Sequence, residues 1–274
     1  MQEKLTESYQ HLTREHLSTE SSLGDQNVCS LQIYKGAPLS TLAVVSGGMD
    51  SITMLHKLHY EGEKKLGAIS FDYGQRHGRK ELNCALQNTL DLNIEWTLID
   101  MAFMKSLLIG SSLTDSRVDV PEGHYAAESM KATVVPNRNM IMLSIAAGVA
   151  LANGYERIAT AVHAGDHAIY PDCRPEFIDD MGACLETATE GFWGPHEESP
   201  LYAPYINKSK ADIVRIGDGV GVDWTKTWSC YVGEESHCGR CGTCVERKEA
   251  FRLAGVEDPT PYKDEAFEVA AYRG

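Results

Sequence analysis

No stretch of this chain approaches the roughly 18 to 20 consecutive apolar residues that a membrane-spanning helix needs. The first forty residues are polar and mixed in charge, without the apolar segment of a secretory leader, so the cytoplasm is the expected location. Basic residues are few: 25 Lys and Arg stand against 39 Asp and Glu, for a net charge of −14, and no basic run occurs. Proteins that grip a nucleic-acid backbone gather Lys and Arg on one face to neutralise phosphates. Direct nucleic-acid binding and membrane association are therefore not expected. Internal repeats and low-complexity tracts are also missing. What remains is an ordinary globular composition, 43% apolar over 274 residues, enough for one sizeable core with a small appendage.

The eight cysteines are unevenly spread. Cys29, Cys84, Cys173 and Cys184 are scattered, whereas Cys230-x7-Cys238-x2-Cys241-x2-Cys244 falls within fifteen residues. Disulfide scaffolds suit small secreted chains, not a cytoplasmic one of this length. Four thiolates at short, glycine-containing spacings suit one closed tetrahedral Zn2+ site of structural role. A redox C-x-x-C pair and an iron–sulfur cluster are the other readings of the same spacing. His237 stands beside Cys238 as a neighbour, not a fifth ligand.

The order of elements points to an α/β fold. Residues 1–38 have no strong periodicity and end at Lys35-Gly36-Ala37-Pro38, the pattern of an N-terminal extension that is loosely packed or disordered. Residues 39–225 form the expected nucleotide-binding domain and 226–274 the zinc-binding region. Within the domain, 42–45, 66–71, 94–99 and 158–162 read as strands. Helices are expected after residue 48 and over 80–90, 139–152 and 176–190, with one more opening at Ser209 and Asp212, which have capping-box spacing. Residues 101–132 read as an irregular insertion. Strands alternating with helices imply a doubly wound parallel sheet covered on both faces.

Ser46-Gly47-Gly48-Met49-Asp50-Ser51 lies between the first strand and its helix. A polyphosphate needs backbone N–H donors at close range. Paired glycines let the main chain approach, and a helix N-terminus adds unpaired donors and a positive dipole. Ser46 and Ser51 add hydroxyls, while Asp50 orients the loop or meets a bound Mg2+. The string is neither the G-x-x-x-x-G-K-[ST] loop nor the G-x-G-x-x-G fingerprint. It resembles the PP-loop of N-type ATP pyrophosphatases. That likeness implies an adenine nucleotide alpha hydrolase-like (HUP-type) α/β domain with ATP at the carboxyl ends of the strands.

Further strings narrow the resemblance to the 7-cyano-7-deazaguanine synthase (QueC) family: Phe71-Asp72-Tyr73-Gly74-Gln75-Arg76-His77, Val135-Pro136-Asn137-Arg138-Asn139, Tyr170-Pro171-Asp172-Cys173-Arg174 and Thr227-Trp228-Ser229-Cys230-Tyr231. With the phosphate loop and the cysteines they span about residues 40 to 255 in the family's order. The resemblance implies a ligase that turns 7-carboxy-7-deazaguanine, ammonia and ATP into the 7-nitrile through an acyl-adenylate and an amide, on the route to queuosine and other 7-deazapurines. It also implies a homodimer. By the same likeness, Val45, Ser46, Gly47, Gly48, Met49, Asp50, Ser51, Ile52 and Leu55 line the triphosphate, with Gln75 and Arg76 beside the nucleotide. Asp50, Arg138 and Lys210 are the expected catalytic residues, the two cations balancing charge as pyrophosphate leaves. Asp166, Asp172 and Arg174 are expected at the deazaguanine.

This chain departs from the family's pattern at its first 38 residues, at Asn137 where many members carry Gly, and over His163–His167. Three other readings stay open. One is a relative that passes the activated deazaguanine to another amine, such as a protein terminus. The others are a PP-loop enzyme that modifies tRNA and a non-catalytic nucleotide-binding partner.

Overall fold

The computed structural model describes residues 39–125, 128–189, 193 and 199–267. The extension expected over residues 1–38 lies outside them. Five strands form one sheet: β1 (Ser40–Val44), β2 (Lys65–Asp72), β3 (Glu95–Asp100), β4 (Arg157–Ala159) and β5 (Leu201–Tyr202). Their spatial order is β3-β2-β1-β4-β5 and every pairing is parallel, in register from Ser40 opposite Lys65 to Val44 opposite Ile69.

Successive side chains of a strand point to opposite faces, and here both faces are apolar. On one face Ala43, Val45 and Ala68 pack with helices α1 (Met49–Glu61), α2 (Gly78–Asp91), α6 (Lys210–Gly219) and α7 (Gly242–Ala254) through Ile52, Leu55, Ala85, Ile213 and Phe251. On the other, Leu42, Ile69, Phe71 and Ile158 meet α4 (Arg138–Ala152) and α5 (Pro175–Ala188) through Leu143, Ala146, Ile178 and Leu185. The chain winds one way from β1 to β3 and then returns past β1 to β4. Strands β1 and β4 therefore flank the switch point, where such sheets open a crevice beyond their carboxyl ends.

The expected elements are found with small shifts, and the Ser209 helix starts with a two-way capping box between Ser209 and Asp212. Strand β4 is shorter than the expected 158–162. Its ladder with β1 ends at Ala43 opposite Ala159, and Thr160 N–H then donates to the Tyr202 carbonyl of β5 at 2.9 Å. The residues that follow, Thr160, Ala161 and Val162, instead border the crevice. The two-residue β5 and α7 carried no legible pattern. The insertion over 101–132 holds the short helix α3 (Met104–Leu107) and part of a 3-10 turn at Glu128–Thr133. Asn137, at the head of α4, has φ +56° and ψ 17°. This left-handed conformation suits glycine and is tolerated by asparagine, which accounts for the exchange at that position.

Candidate active site and four-cysteine centre

The glycine loop is held open from its own side chains. Ser51 Oγ accepts from the N–H groups of Ser46 (3.2 Å) and Gly47 (3.3 Å) and donates to the Gly48 carbonyl (3.0 Å). Ser46 Oγ accepts from Gly48 N–H at 3.1 Å. Gly47 has φ +101°, and a Cβ there would collide with the Glu81 carbonyl oxygen. Its own carbonyl accepts from Trp228 N–H at 3.0 Å, which ties the loop to the segment before the cysteines. Gly48 caps α1 without any side-chain hydrogen bond. The first turn of a 13-residue helix thus faces the crevice with its N–H donors uncapped by side chains, the arrangement that receives phosphate oxygens.

A charged cluster stands beside this turn. Lys210 Nζ lies 2.6 Å from Asp50 Oδ2, 3.3 Å from Glu246 Oε2 and 3.1 Å from His163 Nε2. Burial works against the ammonium, but Asp50, Glu246 and Asp166 outweigh it and hold its pKa above the ordinary lysine value. Burial likewise pushes Asp166 up, yet His163 and Lys210 bring it below the usual carboxylate range. Asp166 also accepts from Tyr125 Oη at 3.1 Å. His163 Nδ1 accepts from Gly165 N–H (3.0 Å), which turns Nε2 toward Lys210 and the carboxylates of Asp166 and Asp50. Asp50 Oδ1 is buried without a hydrogen-bond partner among the described residues. A free carboxylate oxygen at the mouth of a phosphate loop fits a ligand to Mg2+.

Across the crevice Arg138 begins α4. Its guanidinium reaches Tyr73 Oη at 3.4 Å and lies 5.7 Å from the Tyr170 ring centroid. No carboxylate ion-pairs with it among the described residues, so it is a cation kept for something else. Glu81, in the first turn of α2, borders the same space. Burial pushes its acid up to about 8, against the pull of Arg138 and Gln75.

Val45, Ser46, Gly48, Met49, Asp50, Ser51, Gln75, Arg138, Asp166 and Lys210 all border one crevice, drawn together from positions up to 165 residues apart. The others expected at the site do not line it. Gly47 supplies backbone geometry, and Ile52 and Leu55 are wholly buried beneath α1. The Arg76 guanidinium donates to the carbonyls of Asp115 (2.6 Å) and Val118 (2.5 Å) and fastens the insertion. Asp172 accepts from Asn139 N–H (3.0 Å), satisfying the start of α4, and Arg174 Nε donates to the His167 carbonyl (2.9 Å). Glu81, His163, Glu246 and Tyr125 were missed by sequence reasoning. Glu246 follows Cys244 by two residues, but nothing in the sequence connects it with Lys210, 36 residues earlier.

The four cysteines converge, with every Sγ within 4.8 Å of the others. Cys238 and Cys244 are 3.9 Å apart and Cys230 and Cys241 are 4.0 Å apart. Sulfurs about 2.3 Å from a central zinc would stand about 3.8 Å from each other, so one tetrahedral ion fits. An iron–sulfur cluster would hold them farther apart. Cys238 is held well below the ordinary thiol range by the three other cysteines and by the N–H of Arg240. His237 Nε2 accepts from Ser229 N–H (3.1 Å) while its ring lies 4.1 Å from that of Trp228, so it is a packing neighbour of the cluster. The cluster stands next to the crevice, since Trp228, Ser229, Tyr231, Thr243 and Glu246 form one of its walls.

A parallel sheet with an uncapped S-G-G-x-D-S loop at its switch point, cations on both sides and a four-thiol centre beside it defines an ATP-using α/β protein of the PP-loop class. Residues 40–255 match the family described as queuosine biosynthesis protein QueC. The chain is 54% identical over 233 residues to the 7-cyano-7-deazaguanine synthase of Rhizobium meliloti (strain 1021), covering 85% of this chain and 96% of that one. It is 52% identical over 236 residues to the enzyme of the same name from Ruegeria pomeroyi, covering 86% and 100%. Among solved structures it is similar to an NH3-dependent NAD synthetase from Campylobacter jejuni, at 13% identity and a TM-score of 0.40 over 92% of this chain and 84% of that one. The chain belongs to the QueC family.

Proposed function

We infer that this chain is a 7-cyano-7-deazaguanine synthase, the activity its relatives are named for. It joins ammonia to 7-carboxy-7-deazaguanine at the expense of ATP and dehydrates the resulting amide to the nitrile. The observation that carries the reading is the convergence, on one crevice, of the open glycine turn with Lys210 on one side and, on the other, Arg138, which pairs with no carboxylate among the described residues.

The substrate carboxylate attacks the α-phosphorus of ATP, and pyrophosphate leaves. Two anions repel one another, so the site must neutralise charge and hold nucleophile and phosphorus in line. The donors of α1 and the hydroxyl of Ser46 receive the phosphates. Lys210, fixed by Asp50 and Glu246, stands where negative charge builds on the leaving group. Arg138 offsets the carboxylate's approach from the opposite wall. Mg2+, when bound, screens the phosphate oxygens, and the free Oδ1 of Asp50 is its proposed ligand. Asp166 is proposed to face the deazaguanine. The cysteines are proposed to hold one Zn2+ as a structural staple, because four thiolates leave the ion no open position. A homodimer in the cytoplasm completes the reading, and sedimentation of the purified protein checks the dimer.

The test is mass spectrometry of the chain incubated with ATP, Mg2+, ammonium and 7-carboxy-7-deazaguanine. The expected products are the nitrile, AMP and pyrophosphate. Amide as the only product would favour transfer to another amine, and absence of AMP would overturn the ligase reading.

A further inference from the structure

Four carboxyl groups border the crevice, and three of them are engaged. Asp50 and Glu246 hold Lys210, at 2.6 Å and 3.3 Å, and Asp166 accepts from Tyr125 and from His163 N–H. The fourth, Glu81, has no lysine or arginine within ion-pair distance among the described residues. Its nearest titratable neighbour is His77, with Nε2 3.5 Å from Oε2. Burial, reinforced by Arg138, depresses that imidazole to about 3, so it is neutral and no counter-ion. The other groups facing Glu81 are Arg138 from α4, Gln75 and Tyr73 after β2, and Cys84 one turn further along α2.

The position of Glu81 is set by the phosphate loop itself. Its backbone packs against Gly47, and its Oε1 lies 4.0 Å from the point a Cβ on Gly48 would occupy, with Ser46 Oγ 3.3 Å from that same point. A carboxyl at this spot, with Arg138 facing it but no cation within ion-pair distance among the described residues, neither neutralises phosphate nor stabilises the fold by an ion pair. Burial there disfavours its anion. A group with an acid constant close to the working pH is instead suited to taking and returning protons.

We propose that Glu81 is a catalytic residue, the proton acceptor for the nitrogen-handling steps of the reaction inferred above, on which this proposal rests. In the first step the ammonia lone pair attacks the acyl carbon of the adenylate. The C–O bond breaks with its electrons leaving on AMP, and the surplus N–H proton passes to the Glu81 carboxylate, giving the neutral amide. In the second step the amide oxygen attacks the α-phosphorus of another ATP and pyrophosphate departs. The O-adenylylated amide then sheds two N–H protons in succession, and the electron pairs they release build the carbon–nitrogen triple bond as the C–O pair leaves with AMP. Glu81 accepts each proton and passes it to solvent between transfers. Asp50 and Glu246 already hold Lys210, Asp166 is tied to Tyr125 and to the His163 N–H, and burial makes the hydroxyls of Tyr73, Tyr125 and Tyr231 still weaker acids than an ordinary tyrosine.

The test separates activation from nitrogen chemistry. Substrate-dependent exchange of labelled pyrophosphate into ATP reports adenylation alone, and nitrile yield reports the whole sequence. In the full-length chain Glu81→Gln is expected to lower nitrile formation by about 100-fold or more while exchange falls far less. Glu81→Asp is expected to restore part of the nitrile rate. At constant free ammonia, wild-type nitrile formation should rise with pH through about 8 while exchange does not follow. Equal loss of exchange and nitrile in Glu81→Gln, or nitrile formation at the wild-type rate, would overturn the proposal. So would a wild-type profile without that limb, a reading that stands even if the glutamine variant fails to fold. Absence of substrate-dependent exchange in the wild type is a distinct result, which would bring down the ligase reading and this role with it.

Discussion

At the residue scale the site is a matter of which charges are paired and which are not. Lys210 has two carboxylates to hold it, so its removal deletes a positioned cation rather than a mobile one. Lys210→Met should lower kcat/KM for nitrile formation by about 100-fold or more, the scale of losing one preorganised stabiliser of developing charge. The content of the zinc proposed at the four cysteines should be unchanged, and steady-state kinetics with metal analysis checks both. Glu81 gives a pH signature of stability. Its folded pKa of about 8 lies above the ordinary value of 4.5, so its contribution is complete below about 4.5 and is lost as pH rises through about 8. His77, depressed to about 3, titrates on unfolding only below about 6.5 and so adds nothing in the upper half of that window. Thermal melts should therefore show wild-type Tm falling between pH 6.5 and 8 more than that of Glu81→Gln. Parallel curves would contradict the burial of this acid.

At the element scale two helix starts do most of the positioning, and they differ in how far sequence could reveal them. The head of α1 was legible because a strand, two glycines and a helical repeat follow one another without a gap. Gly47 has to be glycine there. Gly47→Ala forces a left-handed backbone on alanine, about 1–2 kcal/mol, and adds a collision with the Glu81 carbonyl. Calorimetry should find the variant less stable and weaker for ATP. Helix α7 was not legible: it begins inside the cysteine cluster, and its buried face carries Arg247 where an apolar residue would have announced it. Arg247 is wholly buried, held by Asp258 (3.2 Å), the Thr227 hydroxyl (2.8 Å) and the Trp224 carbonyl (3.2 Å). Arg247→Ala should cost about 3–5 kcal/mol in denaturant unfolding, because the carboxylate of Asp258 loses its cation and keeps only the neutral donors Tyr262 and Thr260. The same helix carries Cys244 and Glu246. Stripping the zinc proposed at the cysteines, or Cys244→Ser, should reduce both thermal stability and the activity that depends on Lys210, since binding energy at a structural site is folding energy.

At the scale of the whole molecule the chain order is legible and the third dimension only partly so. Alternating apolar runs announce a parallel sheet, and the motif strings fall in the order of the QueC family. Neither tells which residues of a loop face the crevice. Asp172 and Arg174 sit in a shared motif, yet one satisfies the head of α4 and the other a nearby carbonyl. Glu81 and Glu246 lie on helices where acids are commonplace, and only the packing of α2 and α7 around the phosphate loop turns them inward. Patterns along one chain record burial and turns well, and they record convergence poorly, because the site joins residues from β1, α1, α2, α4, α6 and α7.

The central claim is that a carboxylate oxygen attacks the α-phosphorus of ATP held at the glycine turn. The most direct measurement uses 7-carboxy-7-deazaguanine labelled with oxygen-18 in its carboxylate, with the released nucleotide read by mass spectrometry. The account predicts AMP carrying one labelled oxygen and unlabelled pyrophosphate. Label in inorganic phosphate, with ADP as the nucleotide product, would contradict it.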